Sequence, residues 1–332
     1  MKHLVIALVL TALSGQLATP RLYRLDEMRW PEIDALNRER TLFILAVGMI
    51  EQHGPHLPVG ADTLGVTDEA NAAALRAARA LPQWNVVVMP PINYGHAGAN
   101  EVGGKPVHPG TYGIRQSTLR ALVADVGAQV AQNGFKWIFV INGHAAPTHN
   151  VALDQACDFV SDTYGVSMLH LTALFRGDAT LQERGREIDR KFFSAAELSA
   201  LGLDVHAGVS ETSQTLAVRP QLVAPNYRSL PSRSGATLEE LSEIAMTPGW
   251  QGYFSAPARA TAAHGRAIKD WWIAGFTELI VRSVGGENMR ERPRVPGSAV
   301  PPQRAPLFDA LLEREAVFAS ALETWLKQRT KQ

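Results

Sequence analysis

The chain has 332 residues, of which 46% are hydrophobic and 19% are charged, the balance of a globular protein rather than a disordered one. Its 32 lysines and arginines equal its 32 aspartates and glutamates, so the formal net charge is zero and no nucleic-acid partner is expected. The single cysteine, Cys157, excludes an intrachain disulfide and a cysteine-rich zinc site.

The first 19 residues are predicted to be a secretory signal peptide. Lys2 and His3 give a basic start, and residues 4–13 form an apolar run too short to span a bilayer of roughly 30 Å. Small and polar residues follow, so we expect cleavage between residues 14 and 19. The alternatives are a buried N-terminal strand and an uncleaved anchor. Cleavage would leave a secreted or periplasmic protein with no membrane association.

Continuous apolar segments predict β-strands that are covered on both faces. They are residues 41–47, 85–89, 137–141 and 167–171. Segments with helical patterns lie between them, at residues 68–81, 119–130 and 151–160. This alternation predicts a three-layer α/β/α sandwich whose central sheet is mostly parallel.

The later part of the chain has a different pattern. Residues 225–248 are rich in Pro and Ser and predict a long loop, whereas residues 256–285 are helical again. Residues 293–306 predict a linker before a terminal helix at 307–331. After the signal peptide, we therefore expect one domain over residues 20–290, then a linker and a C-terminal helix over 291–332.

Polar side chains follow the first predicted strand. Glu51 and His53 are two residues apart, so in extended backbone they point to the same side, and Asp62 follows a loop rich in Gly and Pro. Ligand sites in α/β proteins form at the carboxyl ends of strands. Carboxylate and imidazole together suit Zn²⁺, Mn²⁺ or Fe²⁺ better than Ca²⁺. The alternative is that these side chains only bond the backbone of their loop.

Two further groups have the same character. His144 follows the third predicted strand, and His206 and Glu211 lie in a turn of small residues before a predicted helix. A lone His at a strand end is usually structural, but beside the first cluster His144 becomes a candidate ligand. The Gly-rich segments 94–96 and 108–111 are either substrate-binding loops or solvated turns.

These motifs resemble the creatininase (creatinine amidohydrolase) family. The matching segments are Glu51-Gln-His53-Gly-Pro-His56 with Asp62, Pro109-Gly110-Thr111, Asn142-Gly143-His144, His206-Ala-Gly, and Glu211-Thr212-Ser213. The match spans about residues 25–285. The resemblance implies an α/β sandwich with two divalent metal ions, zinc and/or manganese and in some members iron. It also implies hydrolysis of a non-peptide C–N bond in a small, often cyclic amide, and a homo-oligomer, often a hexamer.

The resemblance also implies a role for each residue. One metal ion would be held by Glu51, Asp62 and His144. His53 and Asp62 would hold the other, with Asp62 bridging, because two cations about 3.5–4 Å apart repel strongly without an anion between them. A metal-bridging hydroxide would attack the amide carbon. His206 would pass a proton to the leaving nitrogen, and Glu211 would complete the second metal site or act as a base.

The sequence departs from creatininase itself in three places. Ala146 stands where creatininase has a Glu, and Glu211 is the candidate replacement. His149 belongs to a small insertion and is an extra candidate ligand. Creatininase closes tryptophans over its flat substrate, but no Trp occurs here between residues 171 and 206. The large aromatics available there are Phe175, Phe192 and Phe193, which argues against creatinine as the substrate.

Three functional hypotheses follow. The first is a metal-dependent amidohydrolase that acts on a small, possibly cyclic amide. The second is peptidase-like cleavage of a modified peptide by the same centre. The third is a non-catalytic member that binds a metal ion or a ligand. All six candidate ligands and proton-transfer groups are present together, which favours an enzyme. They are Glu51, His53, Asp62, His144, His206 and Glu211.

Overall fold

The computed structural model describes residues 20–105, 107–295 and 305–329. The predicted signal peptide at residues 1–19 lies outside the described residues, as does most of the predicted linker. Export therefore stays a prediction. Among the described residues, none of the helices combines the length and the hydropathy of a membrane-spanning segment.

One parallel sheet forms the centre of the described structure. Its strands are β1 (Leu22–Arg24), β2 (Thr41–Val47), β3 (Asn85–Val88), β4 (Trp137–Asn142) and β5 (Ser167–His170). The strand order is β1-β3-β2-β4-β5, and each neighbouring pair is parallel. The four strands predicted from apolar runs are confirmed, and the three-residue edge strand β1 is an addition.

Helices connect and cover the strands. Their bounds are α1 (Trp30–Asp34), α2 (Ala61–Ala80), α3 (Gln116–Gln132), α4 (Pro147–Tyr164), α5 (Leu171–Gly177), α6 (Ala179–Phe192), α7 (Ala195–Leu201), α8 (Val209–Val218), α9 (Leu238–Met246), α10 (Ala262–Val284) and α11 (Ala305–Arg329). The central sheet with helices on both faces is the predicted three-layer α/β/α sandwich.

Strand β2 shows why the apolar runs are continuous. Leu42 and Ile44 pack into a core with α2 and α10, whereas Phe43 and Leu45 point to the other face and pack with α3 and α4. All seven residues of β2 are buried. Each fully buried aliphatic or aromatic side chain contributes about 1.5–3 kcal/mol, so burial on two faces favours a strand that is apolar from Leu42 to Val47.

The register of the sheet places two strand ends side by side. Leu42 of β2 pairs with Trp137 of β4, and the alignment continues to Val47 and Asn142. The segments that follow β2 and β4 therefore leave the sheet at the same edge. This edge is where the sequence places its candidate ligands.

The structure corrects one helix prediction and one loop prediction. Helix α2 begins at Ala61 rather than at residue 68, which puts Asp62 in its first turn. The predicted loop at residues 225–248 contains helix α9. Thr237 caps α9 by accepting a hydrogen bond from the Glu240 N–H, and Leu241 is buried. The helical spacing of apolar residues in α9 is short and lies among Pro and Ser residues, so the sequence pattern predicted a loop instead.

A pair of glycine substitutions tests the packing of α10 on α5. An added Cβ at Gly275 would overlap the ring of Phe175, whereas one at Gly65 in α2 meets nothing within 4 Å. We expect Gly275→Ala to lower the free energy of unfolding by about 1–3 kcal/mol through overpacking. Gly65→Ala is expected to raise it by about 0.5–1 kcal/mol. Urea unfolding measures both, and equal effects would contradict the described packing.

Candidate metal centre

Close packing at the sheet edge brings the first turn of α2 onto the strand ends. A Cβ at Gly48 would lie 2.6 Å from the Thr63 Cα, and one at Gly143 would lie 2.7 Å from the Asp62 carbonyl oxygen. Only glycine fits at such approaches. These two glycines therefore let the chain deliver Asp62 to the edge where Glu51 and His144 already lie.

Asp62 lies between two histidines. Its Oδ1 is 3.2 Å from Nε2 of His53, and its Oδ2 is 2.9 Å from Nδ1 of His144. Each oxygen of the one carboxylate thus faces a different imidazole. This is the arrangement that a carboxylate bridging two cations requires.

Each side of Asp62 is completed by a further carboxylate. Glu51 Oε1 is 3.1 Å from Nδ1 of His144, and Glu211 Oε2 is 3.7 Å from Nε2 of His53. Two groups of three ligand atoms result, with all atoms of a group within 4.8 Å of one another. They are Glu51–Asp62–His144 and His53–Asp62–Glu211. The structure thus brings together all five predicted metal ligands.

Hydrogen bonds to the backbone fix the direction of three of these side chains. Glu51 Oε2 accepts from the Ala99 N–H at 2.9 Å, which leaves Oε1 facing the cluster. The Nδ1 of His53 lies 3.0 Å from the Glu51 carbonyl oxygen, and the Nε2 of His144 lies 2.6 Å from the Ala97 carbonyl oxygen. Such contacts orient the other ring nitrogen as a ligand. The buried carboxylate and imidazole donors therefore fit Zn²⁺ or Mn²⁺.

The backbone is strained at two residues beside the cluster. Ala97 has φ 64° and Ala207 has φ 48°, a left-handed conformation that costs non-glycine residues about 1–3 kcal/mol. Ala97 provides the carbonyl that faces His144, and the Ala207 N–H donates to the Glu211 carboxylate. The strain therefore serves the orientation of two candidate ligands.

Charge repulsion and attraction are strong in this buried cluster. Burial alone would lower the pKa of His53, but the charges of Asp62 and Glu211 raise it to about 10. Burial likewise opposes the charged form of His144, yet Glu51 and Asp62 raise its pKa well above the ordinary value. Burial raises the pKa of Glu211 to about 7. In the metal-free protein, protons on the two histidines therefore offset the negative charges of Glu51 and Asp62.

His206 lies in the same cluster with a different state of charge. Its Nε2 donates to the Gln52 carbonyl oxygen at 2.8 Å, so its Nδ1, 3.5 Å from Glu51 Oε1, is left as an acceptor. Burial lowers its pKa to about 4. His206 also forms a third possible ligand group with Glu51 and His53.

The other predicted positions are separate from the cluster. His149 is buried behind His144, with ring centroids 5.0 Å apart, and its Nδ1 accepts from the His96 N–H. It belongs to no ligand group among the described residues. His108 is bonded to its own neighbour Pro109, whereas Thr111 Oγ1 accepts from the Gln52 N–H at 3.1 Å. The Gly-rich loop thus supports the metal-site backbone at Thr111.

A cavity of about 720 Å³ opens from the cluster. Its aromatic lining includes Phe254 and, from α10, Trp271 and Trp272. The three phenylalanines noted in the sequence, Phe175, Phe192 and Phe193, are not part of this lining, and Phe175 is fully buried.

Arg176 of α5 also lines this cavity. No local motif surrounds Trp271, Trp272 or Arg176, so the sequence did not predict that they line the cavity. The one sequence signal for Arg176 is that α5 directly follows strand β5, whose carboxyl end lies at the edge of the sheet that carries the site.

The family comparison agrees with this geometry. The sequence model of the creatininase family, described as creatinine amidohydrolase, matches residues 26–280, which is more than half of the chain. The chain belongs to the creatininase family. It is accordingly a hydrolase of a metal-dependent amidohydrolase family.

Two named relatives differ in what they act on. A mycofactocin precursor peptide peptidase of Mycobacterium ulcerans (strain Agy99) is 28% identical over 268 residues, covering 76% of this chain and 86% of that protein. The creatinine amidohydrolase of Pseudomonas putida is 28% identical over 205 residues, covering 59% of this chain and 72% of that protein.

Solved creatininases share the fold. A mutant creatininase of Zn–Zn type has a TM-score of 0.58 at 23% identity, over 79% of this chain and 98% of that chain. A manganese form of creatininase has a TM-score of 0.56 at 22% identity. At this identity the likeness confirms the predicted sandwich.

Metal binding should release protons, because His53 and His144 must lose theirs to act as ligands. Their pKa values are raised in the metal-free protein, to about 10 for His53, so affinity for Zn²⁺ should increase with pH across the neutral range. Calorimetric titration at pH 7 in two buffers of different ionisation enthalpy measures the release. An equal heat in both buffers would show that these imidazoles are already neutral.

Replacing Asp62 tests its shared position. Asp62→Asn should lose at least one metal ion and all activity, because a neutral amide bridges two cations poorly. A matched control is Asp154→Asn, which changes a buried aspartate 2.9 Å from Nδ1 of His170, outside both ligand groups. Metal content by elemental analysis should fall only in the first variant. Full metal content and turnover in Asp62→Asn would remove Asp62 from the site.

Proposed function

We propose that this protein is a dinuclear metal-dependent amidohydrolase that cleaves the C–N bond of a small, possibly cyclic amide. The observation that carries the proposal is the position of Asp62, whose two oxygens belong to two separate ligand groups. A single metal ion would need only one of these groups.

The two sites are assigned to zinc and/or manganese. Glu51 and His144 would hold one ion with Asp62, and His53 and Glu211 would hold the other. The Zn–Zn and manganese forms of solved creatininases support this choice. In this assignment Glu211 replaces the carboxylate that creatininase carries at the position of Ala146.

Proton transfer would fall to the chain's own residues. When bound, the metal ions lower the pKa of a water molecule and stabilise negative charge on the amide oxygen. His206 is neutral and presents an unprotonated Nδ1 beside Glu51, so it can take up a proton and deliver it to the departing nitrogen. The leaving amine needs that proton because its anion is a poor leaving group.

Peptide cleavage is the second candidate. The cavity of about 720 Å³ exceeds the needs of a single small ring, and its two tryptophans offer apolar surface for side chains. The similarity to a mycofactocin precursor peptide peptidase extends over 76% of this chain. Both candidates use the same metal centre and differ only in the length of the acyl or amine part. The homo-oligomer implied by the family, a hexamer in many members, stays a prediction.

An unbiased screen tests the proposal. The mature chain, loaded with Zn²⁺ or Mn²⁺, is incubated with cyclic amides, ureides, formamides and short peptides, and release of amine and carboxylate is measured. We expect turnover of at least one class that disappears on chelation and returns with metal. Two tightly bound ions without turnover of any class would favour the non-catalytic hypothesis instead.

Removing the imidazole of His206 separates its two possible roles. His206→Ala should keep both metal ions and slow turnover by roughly 10²–10⁴, the usual effect of losing a positioned acid–base group. Elemental analysis and kcat measured on the same preparation distinguish the cases. Loss of a metal ion would make His206 a ligand, as its third ligand group with Glu51 and His53 allows.

A further inference from the structure

Four cationic side chains line the cavity beside the metal centre. Three are held by carboxylates, in the pairs Arg186–Glu183 at 2.6 Å, Arg219–Asp68 at 2.9 Å and Lys269–Glu69 at 3.1 Å. The fourth, Arg176, forms no hydrogen bond and no ion pair within 4.0 Å among the described residues.

The Arg176 side chain is partly buried in the wall of the cavity, where its guanidinium has no carboxylate partner in the part of the chain that the structure describes. Burial lowers the pKa of Arg176, and the charge of Glu211 opposes that shift. A buried charge is normally paired, since removal from water without hydrogen bonds is strongly unfavourable. Arg176 keeps five N–H donors in a cavity that a ligand can enter.

The backbone that carries Arg176 is held firmly. The Val295 N–H donates to the Ala173 carbonyl oxygen at 3.0 Å, and a Cβ on Gly177 would overlap the carbonyl of Pro293. The neighbouring Phe175 stacks on Trp272 with ring centroids 4.2 Å apart. The backbone that carries Arg176 is therefore fixed before any ligand arrives, so that binding would order only its side chain.

We propose that Arg176 binds a carboxylate of the substrate, so that the amide cleaved by this protein belongs to an anionic molecule. The planar guanidinium fits a carboxylate through two parallel hydrogen bonds. An N-acylated amino acid or a peptide with a free C-terminus carries such a group. The inference rests on the proposed amidohydrolase function and specifies its substrate class.

A purely structural role would give different behaviour. Arg176 lies in the last turn of α5, where a cation complements the helix dipole, and it could serve as a counter-charge to Glu211. Its loss would then affect charged and neutral ligands alike. Binding of a carboxylate predicts an effect on charged ligands only.

The test compares two probes of nearly equal size, N-benzoylglycine and its neutral amide, N-benzoylglycinamide. Their affinities for the zinc-loaded full chain are measured by calorimetry for the wild type, Arg176→Gln and Arg186→Gln. We expect the wild type and Arg186→Gln to bind the carboxylate roughly 10- to 100-fold more tightly than the amide. Arg176→Gln should lose this preference while its affinity for the amide is unchanged.

Two results would overturn the inference. One is a wild type without preference for the carboxylate, and the other is a preference that persists in Arg176→Gln, which would place the carboxylate on the metal ions. Release of benzoate from both probes is followed separately. An Arg176-dependent preference without hydrolysis of any amide would leave the anion site intact and contradict the amidohydrolase proposal. Hydrolysis of neutral amides without that preference would support the amidohydrolase proposal and contradict the anion site at Arg176.

Discussion

The structure depends on one buried carboxylate that faces two histidines. Asp62 places its oxygens 3.2 Å from His53 and 2.9 Å from His144, and Glu51 and Glu211 add two more carboxyl groups nearby. Such a concentration of carboxylates is unfavourable away from water unless cations balance it. In the metal-free protein, protons on His53 and His144 offset the negative charge of the carboxylates. In the active protein, divalent metal ions would offset it.

The fold makes this arrangement possible by aligning strand ends. β2 and β4 run in register to Val47 and Asn142, so the segments after them begin at one edge of the sheet. Gly48 and Gly143 then allow α2 to approach closely enough for its first turn to add Asp62. The hydrophobic core on both faces holds these strands rigidly, and a rigid frame positions ligands more accurately than loops do.

The sequence predicted the sheet better than it predicted the cavity. Strands β2 to β5 were evident because burial on two faces demands continuous apolar runs, whereas β1 has only three residues and no such signal. The five candidate ligands were identified because each follows a strand or lies in a motif of the creatininase family. Trp271, Trp272 and Arg176 lie on helices whose local pattern carries no chemistry, so only tertiary packing reveals that they line the cavity.

Anomalous diffraction at the zinc absorption edge, on crystals of the zinc-loaded protein, would locate the metal ions bound around Asp62. A dinuclear centre predicts two peaks, one among Glu51, Asp62 and His144 and the other among His53, Asp62 and Glu211, with Asp62 bound to both. A single peak on one side of Asp62, or peaks at other residues, would contradict the dinuclear centre on which the proposed chemistry depends.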